Sequence, residues 1–392
     1  MRRLSFLIAL AIAVPHRAGA APCDTLTNPI YLQVGDTQLN LMKRLGRALR
    51  DNTPKPITLV FLTSGSCTNI AALYDGVKIK AATSLQYVPS VAEDPAWTPT
   101  SATLTCTLPA DLLPDIANSA LFNSACRTDA PPATVHLTQG PAQAYVMAVP
   151  TASTQTAITF EEAYFVFGFG MAGMISPWID ETQMFIRTVT KSTLLAWAAN
   201  ISVPGDKWKG VRLDGSPMVV SGINTGTAAA IGILGAEVYD ANRATMKALA
   251  YRAKGQYAAY YPDSSSSSHD KKNVRDGHYT VWSPTIWMDT IDATSKAPVK
   301  PDARYVVDLI AGKTVTPAPN FGMINIIAAV GLVPDCAMGV NRTFEGGPLT
   351  LYQPTESCTC KYESLVDTSS CTACTTTCAT GGVCRNGFCE VR

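Results

Sequence analysis

Histidine and charge are both scarce in this chain. Its 392 residues include four histidines, and Asp, Glu, Lys and Arg together make up 16%, as 31 basic against 30 acidic side chains. So balanced a composition lacks the basic face that nucleic acid requires, so no nucleic-acid partner is expected. His136, His269 and His278 lie far apart without metal-ligand spacing, so neither a metal nor a cofactor is expected. Neither a Gly-x-Ser-x-Gly elbow nor a P-loop occurs, and a Ser/His/Asp arrangement would have to recruit a histidine from a loop. The expectation is a protein that is not an enzyme. Beyond the N-terminus no run of about eighteen apolar residues exists to span a bilayer. Cysteine is missing from 127 to 335.

What is present starts with an export signal. Arg2 and Arg3 precede the apolar run Leu4–Val14, and Ala18-Gly-Ala20 supplies the small residues of a cleavage site, so residues 1–20 read as a leader. Pro22 before Cys23 spoils a lipid-attachment box, and cleavage after Ala20 is expected instead. Without Arg2, Arg3 and Arg17 the mature chain has 28 basic and 30 acidic residues, a net of −2. All twelve cysteines lie beyond the leader, and an even number in an exported chain predicts six disulfides and an extracytoplasmic location. Seven crowd the last thirty-five residues, so one must pair outside that cluster, and Cys336 is the nearest candidate. Zinc is the competing reading of Cys371-x-x-Cys374; the tail has no histidine, and export favours oxidation.

Along the chain, Pro29–Val34 alternates like a strand, Gly35-Asp-Thr-Gln38 turns, and Leu41–Leu49 has helical spacing. Pro56–Leu62, Thr63–Asn69 and Ile70–Tyr74 repeat the unit. Alternating strands and helices predict a parallel α/β sheet with ligands at the strand C-terminal ends, where Thr37, Ser64, Ser66 and Thr68 fall. Between Cys106 and Cys126 the residues predict a short helix and strand with a polar end at Asn118 and Ser119. Gln143–Pro150 reads as a strand, Thr159 and Glu162 as a capping box, and Gly277–Trp287 as an aromatic strand. The serine run from Pro262 to His269 reads as a mobile surface loop.

The stretch from Gln183 to Ile201 carries the most chemistry. Arg187 closes a short strand, and Lys191, Ser192 and Thr193 stand where a helix begins, a position that favours anions. An ordinary Ser/Thr cap beside a solvated Arg and Lys is the plainer reading of these residues alone.

Taken in order, the Gly35-Asp-Thr turn, the Ser64-Gly-Ser66 turn, the Gln143 strand, Arg187 before Lys191-Ser-Thr193, Ala230–Gly235 and Asp276–Val281 resemble the phosphate-type solute-binding proteins of ABC transporters. That resemblance spans residues 28 to 335. It implies a two-lobed type 2 periplasmic-binding-protein-like α/β fold, with lobe 1 over 28–150 and 281–335 and lobe 2 over 151–280; the crowded cysteines, and not the resemblance, set residues 336–392 apart as a small disulfide-rich C-terminal module. It also implies that Thr37, Gln38, Ser64, Ser66, Asn118, Ser119, Arg187, Lys191, Ser192 and Thr193 contact a small anionic, phosphate-like ligand. The partner implied is an ABC transporter permease or a cell-surface component. Two positions depart from the family: Ser192 stands where glycine is usual, and Asn118-Ser119 replaces a proton-accepting aspartate. With the foreign cysteine-rich tail, these departures support an alternative, a structural or adhesive surface protein that kept the fold and lost its ligand.

Overall fold

The computed structural model describes residues 21–367, 369–378 and 382–390; the predicted leader, residues 1–20, lies outside them. The first strand, β1 (Pro29–Gly35), is buried along almost its whole length, as a strand covered on both faces must be. A one-turn 3-10 segment, Asp36–Gln38, leads into α1 (Leu39–Arg50), which buries Leu41, Met42, Leu45 and Leu49 at helical spacing and ends on Arg47 and Arg50. β2 (Thr58–Ser64) and α2 (Ser66–Tyr74) repeat the unit, followed by the short strands β3 (Ser84–Tyr87), β4 (Leu104–Thr107) and β5 (Ile116–Ser119). The helix expected between Cys106 and Cys126 is absent from the structure. Pro109 and Pro114 break that stretch, and its regular parts are β5 and a one-turn 3-10 segment, Asn123–Ala125.

β6 (Val135–Pro150) is long enough to pair with strands of both lobes. Next come β7 (Ala157–Thr159), α3 (Phe160–Phe169), β8 (Met184–Arg187), α4 (Ser192–Ile201), β9 (Val211–Leu213), α5 (Ser216–Thr225), β10 (Ile231–Gly235) and α6 (Ala236–Asp240). The chain returns through β11 (Met246–Ala248), β12 (Ala250–Arg252), α7 (Lys272–Arg275) and β13 (Trp282–Thr290), then adds α8 (Pro301–Ile310), α9 (Met323–Ala329) and α10 (Thr359–Val366). The main sheet runs β4-β3-β2-β1-β5-β13-β6-β10-β8-β9, with β11 also beside β6. β1 pairs in parallel with β2 and β5, and β8 in parallel with β10 and β9. Between these parallel cores, β6 pairs antiparallel with β13 through its first part and with β10 from Tyr145 onward. The chain thus passes between the lobes in β6, and again where the Tyr145 amide donates to Val281 ahead of β13.

A third passage was not expected. Val333 exchanges both backbone hydrogen bonds with Ala142, and the chain then packs Ala337, Met338, Val340, Cys358 and Tyr362 into the apolar cluster of the second lobe. The first part of the cysteine-rich tail is therefore structural body, and Arg275 binds Glu363 at 3.0 Å to hold α10 in place. Six disulfides form: Cys23–Cys106, Cys67–Cys126, Cys336–Cys358, Cys360–Cys371, Cys374–Cys384 and Cys378–Cys389. Cys336 does pair into the tail. Among the described residues no helix is long and apolar enough to cross a membrane.

The serine run is anchored more firmly than a mobile loop. At its base Lys271 is fully buried between Asp240 at 2.8 Å and Asp263 at 2.9 Å, and the Ser264 amide donates to Asp270. Burial opposes the Lys271 ammonium, but the two carboxylates outweigh it and raise its pKa above the ordinary lysine value.

Candidate functional site

The two lobes meet where β1 and β2 of the first face the ends of β8 and β9 in the second. Arg187, the last residue of β8, is wholly buried, although a guanidinium is rarely buried unless its donors are used. Its Nε donates to Leu213 O at 3.2 Å, Nη1 to Ser216 Oγ at 2.6 Å, and Nη2 to Asp214 O at 2.6 Å and Asp36 Oδ2 at 2.8 Å. Asp36 comes from the opposite lobe. The same oxygen accepts from the Ser216 amide at 3.2 Å and the Ser216 hydroxyl at 3.1 Å, at the N-terminus of α5. A carboxylate of the chain itself thus occupies a site made of a guanidinium, a hydroxyl and a helix N-terminus, three groups that suit an oxyanion.

Neither Asp36 nor Ser216 was among the residues expected from the sequence. Asp36 sat inside the turn already singled out, and Gly215-Ser216-Pro217 carries the start signal of a helix, with proline in the first turn. Their meeting spans 180 residues of chain.

The expected residues divide into three groups. Thr37 and Lys191 line an open interlobe cavity of about 500 Å³, together with Asp36, Thr63, Asp214 and Ser216. The Lys191 ammonium pairs with the exposed Asp214 carboxylate at 3.3 Å, and its charge holds the Asp214 carboxyl below the usual range. Ser192 and Thr193 open α4; Ser192 lies beside the buried Tyr145 hydroxyl, and Thr193 is fully buried.

The other five make hydrogen bonds within the protein. The Ser64 hydroxyl donates to Asn69 Oδ1 and accepts from Gln33, and Ser66 Oγ accepts from the Ala120 amide at 3.1 Å. The Ser119 hydroxyl donates to Leu121 O at 2.8 Å, and the Asn118 amide to the carbonyls of Ser119 and Ile286. Gln38 donates to Gln143 Oε1, and Gln143 in turn to Glu237 Oε2 at 3.2 Å, a buried chain running from one lobe through β6 to the other. Burial pushes the Glu237 carboxyl up to about 8. Gln38 Oε1, Asn118 Oδ1, Thr193 Oγ1 and Glu237 Oε1 are buried without a hydrogen-bond partner among the described residues.

The lobes also touch directly. The Cys67 amide donates to Thr190 O at 3.2 Å, and a side chain at Gly65 would stand 2.7 Å from that oxygen. In the Ser64-Gly-Ser66 turn it is the glycine, more than the hydroxyls, that meets the other lobe.

No protein-family model matches the chain, and no curated protein matches it in sequence. Its likeness is to solved structures. A protein from Clostridium perfringens classed as a phosphate ABC transporter substrate-binding protein, solved with bound phosphate, superposes with a TM-score of 0.53 at 12% identity, over 78% of this chain and 99% of that one. An ABC-type phosphate transport receptor from Vibrio cholerae reaches 0.49 at 13% identity, over 78% of this chain and 100% of that one. At such identities the likeness shows the fold. The protein has a two-lobed, type 2 periplasmic-binding-protein-like fold with a disulfide-rich C-terminal module.

Proposed function

We propose that this protein is an extracytoplasmic solute-binding protein that closes its lobes on a small oxyanion-bearing ligand, phosphate-like in charge and hydrogen bonding, without chemistry. The observation that carries this reading is the Asp36 carboxylate on Arg187 and Ser216. An oxyanion already sits there, delivered by the opposite lobe, and opening the lobes withdraws it. A ligand oxyanion then takes the vacated donors, with Lys191 beside it, and the lobes close on it with Asp36 displaced from Arg187 and Ser216. The neighbouring fold, whose Clostridium perfringens example was solved with phosphate, and the six disulfides support a binder outside the cytoplasm. Its transport partner is then an ABC permease or a cell-surface component.

The same contact favours a second reading, a structural or adhesive surface protein. The closed lobes satisfy Arg187 from within and need no ligand. Thermal shifts of the mature protein, Asp36→Asn and Arg187→Ala with phosphate, sulfate and acetate separate the two. For the binder, Asp36→Asn is destabilised because Arg187 loses its counter-charge, and an oxyanion restores it. Arg187→Ala loses the anion response altogether. If no anion stabilises either the wild type or Asp36→Asn, the structural reading stands.

A further inference from the structure

We infer that the solute is organic, an acidic head group carrying a compact apolar body, rather than a bare inorganic oxyanion. This rests on the solute-binding reading above and extends it to the class of ligand. The cavity beside Asp36 and Ser216 measures about 500 Å³, inside the range of roughly 300–1,000 Å³ that encloses organic ligands. Its lining is divided: Asp36, Lys191, Asp214 and Ser216, with the smaller polar groups of Thr37, Asn40, Thr63 and Asn242, supply charge and hydrogen bonds, while Leu39, Pro217, Val220, Val238 and Ala241 supply carbon on one side.

The second lobe supplies most of that carbon. Leu39 opens α1 in the first lobe, whereas Pro217 and Val220 lie on α5 and Val238 on α6 in the second. Closure therefore adds Leu39 to the carbon of α5 and α6 around one volume. A bare ion gives up its hydration on entering and recovers it only from donors on every side, which the polar groups of this cavity supply on one side and the α5 and α6 carbon on the other does not. An alkyl group gains from that carbon instead. The charges agree: with Asp36 withdrawn from Arg187, the Arg187 and Lys191 cations are opposed by Asp214 alone, which leaves charge for one acidic group.

Calorimetric titration of the mature protein with two pairs of ligands tests this: phosphate against butylphosphonate, and acetate against pentanoate. The pairs distinguish a phosphorus oxyanion from a carboxylate head; an alkyl group replaces one oxygen in the first pair, and chain length is the variable in the second. In whichever pair binds, the longer member should bind about ten-fold tighter or more, at the usual gain per buried methylene. Val238→Asn should bring that ratio down towards one. Equal or weaker binding of the longer member, or an unchanged ratio in both Val238→Asn and Val220→Asn, overturns the inference and leaves the solute-binding reading intact. Binding of none of the four overturns both.

Discussion

Arg187 joins the two lobes through its contact with Asp36 at 2.8 Å. A short strand ending in arginine before a polar turn is a local pattern, but the group that meets the guanidinium arrives from residue 36 on the other lobe. Arg187→Ala should destabilise the mature protein by about 3 kcal/mol in chemical denaturation, since it leaves Asp36 on the Ser216 donors without a cation. Glu237 supports a pH prediction. Its carboxyl titrates near 8 in the fold, because of burial first and then the Asp240 and Asp36 charges, against an ordinary value of 4.5. Between those values the folded protein holds a proton that the unfolded chain releases, so its contribution is complete below about pH 4.5 and is lost as pH rises through about 8. Relative to wild type, Glu237→Gln should therefore gain stability from pH 5 to pH 8, by up to about 1.4 kcal/mol per pH unit, measured as denaturation midpoints across that range. A flat difference would mean that Glu237 is ionised throughout.

Among the elements, helix starts with side-chain caps were the most readable. The Thr159 hydroxyl accepts from the Glu162 amide at 3.1 Å and the Glu162 carboxylate from the Thr159 amide at 2.8 Å, the capping box expected from those two residues. Thr159→Ala should cost about 1 kcal/mol in the same denaturation assay, with the ligand response unchanged. α5 was harder to read because Gly215 caps it without a side chain, and its first residue works for the site as well as the helix. The tail misled for a different reason. Its cysteine spacing suggested a self-contained module, yet Tyr362 and Cys358 are core residues of the second lobe. Near Gly346, whose φ of +68° suits glycine, the chain lies against Ala199, and the Arg342 guanidinium stacks 4.7 Å over Trp282. Mass spectrometry of the unreduced protein should find Cys336 joined to Cys358; Cys336 free, or bonded elsewhere, would place the tail differently.

For the whole molecule, closure depends on the fit at Gly65. Its φ of −91° is open to any residue, so a substitution there acts through contact, not backbone strain. Gly65→Ala should hold the lobes apart, because the added carbon meets the Thr190 carbonyl, and small-angle scattering should show a larger radius of gyration than wild type. An unchanged radius would show that the turn yields locally. The sequence alone determined the alternation of strands and helices, the positions of Arg187 and the α4 start, the export signal as an expectation, and the parity that sends Cys336 into the tail. These follow from periodicity, capping and counting, which act over a few residues or need no coordinates at all. Only the tertiary structure decided that Asp36 fills the arginine site, that five of the expected polar residues hydrogen-bond within the protein, and that carbon from α5 and α6 forms one side of the cavity. Each of these depends on groups from opposite lobes, or from strands far apart in the chain, meeting at hydrogen-bond or van der Waals distance, and no local pattern encodes such a meeting.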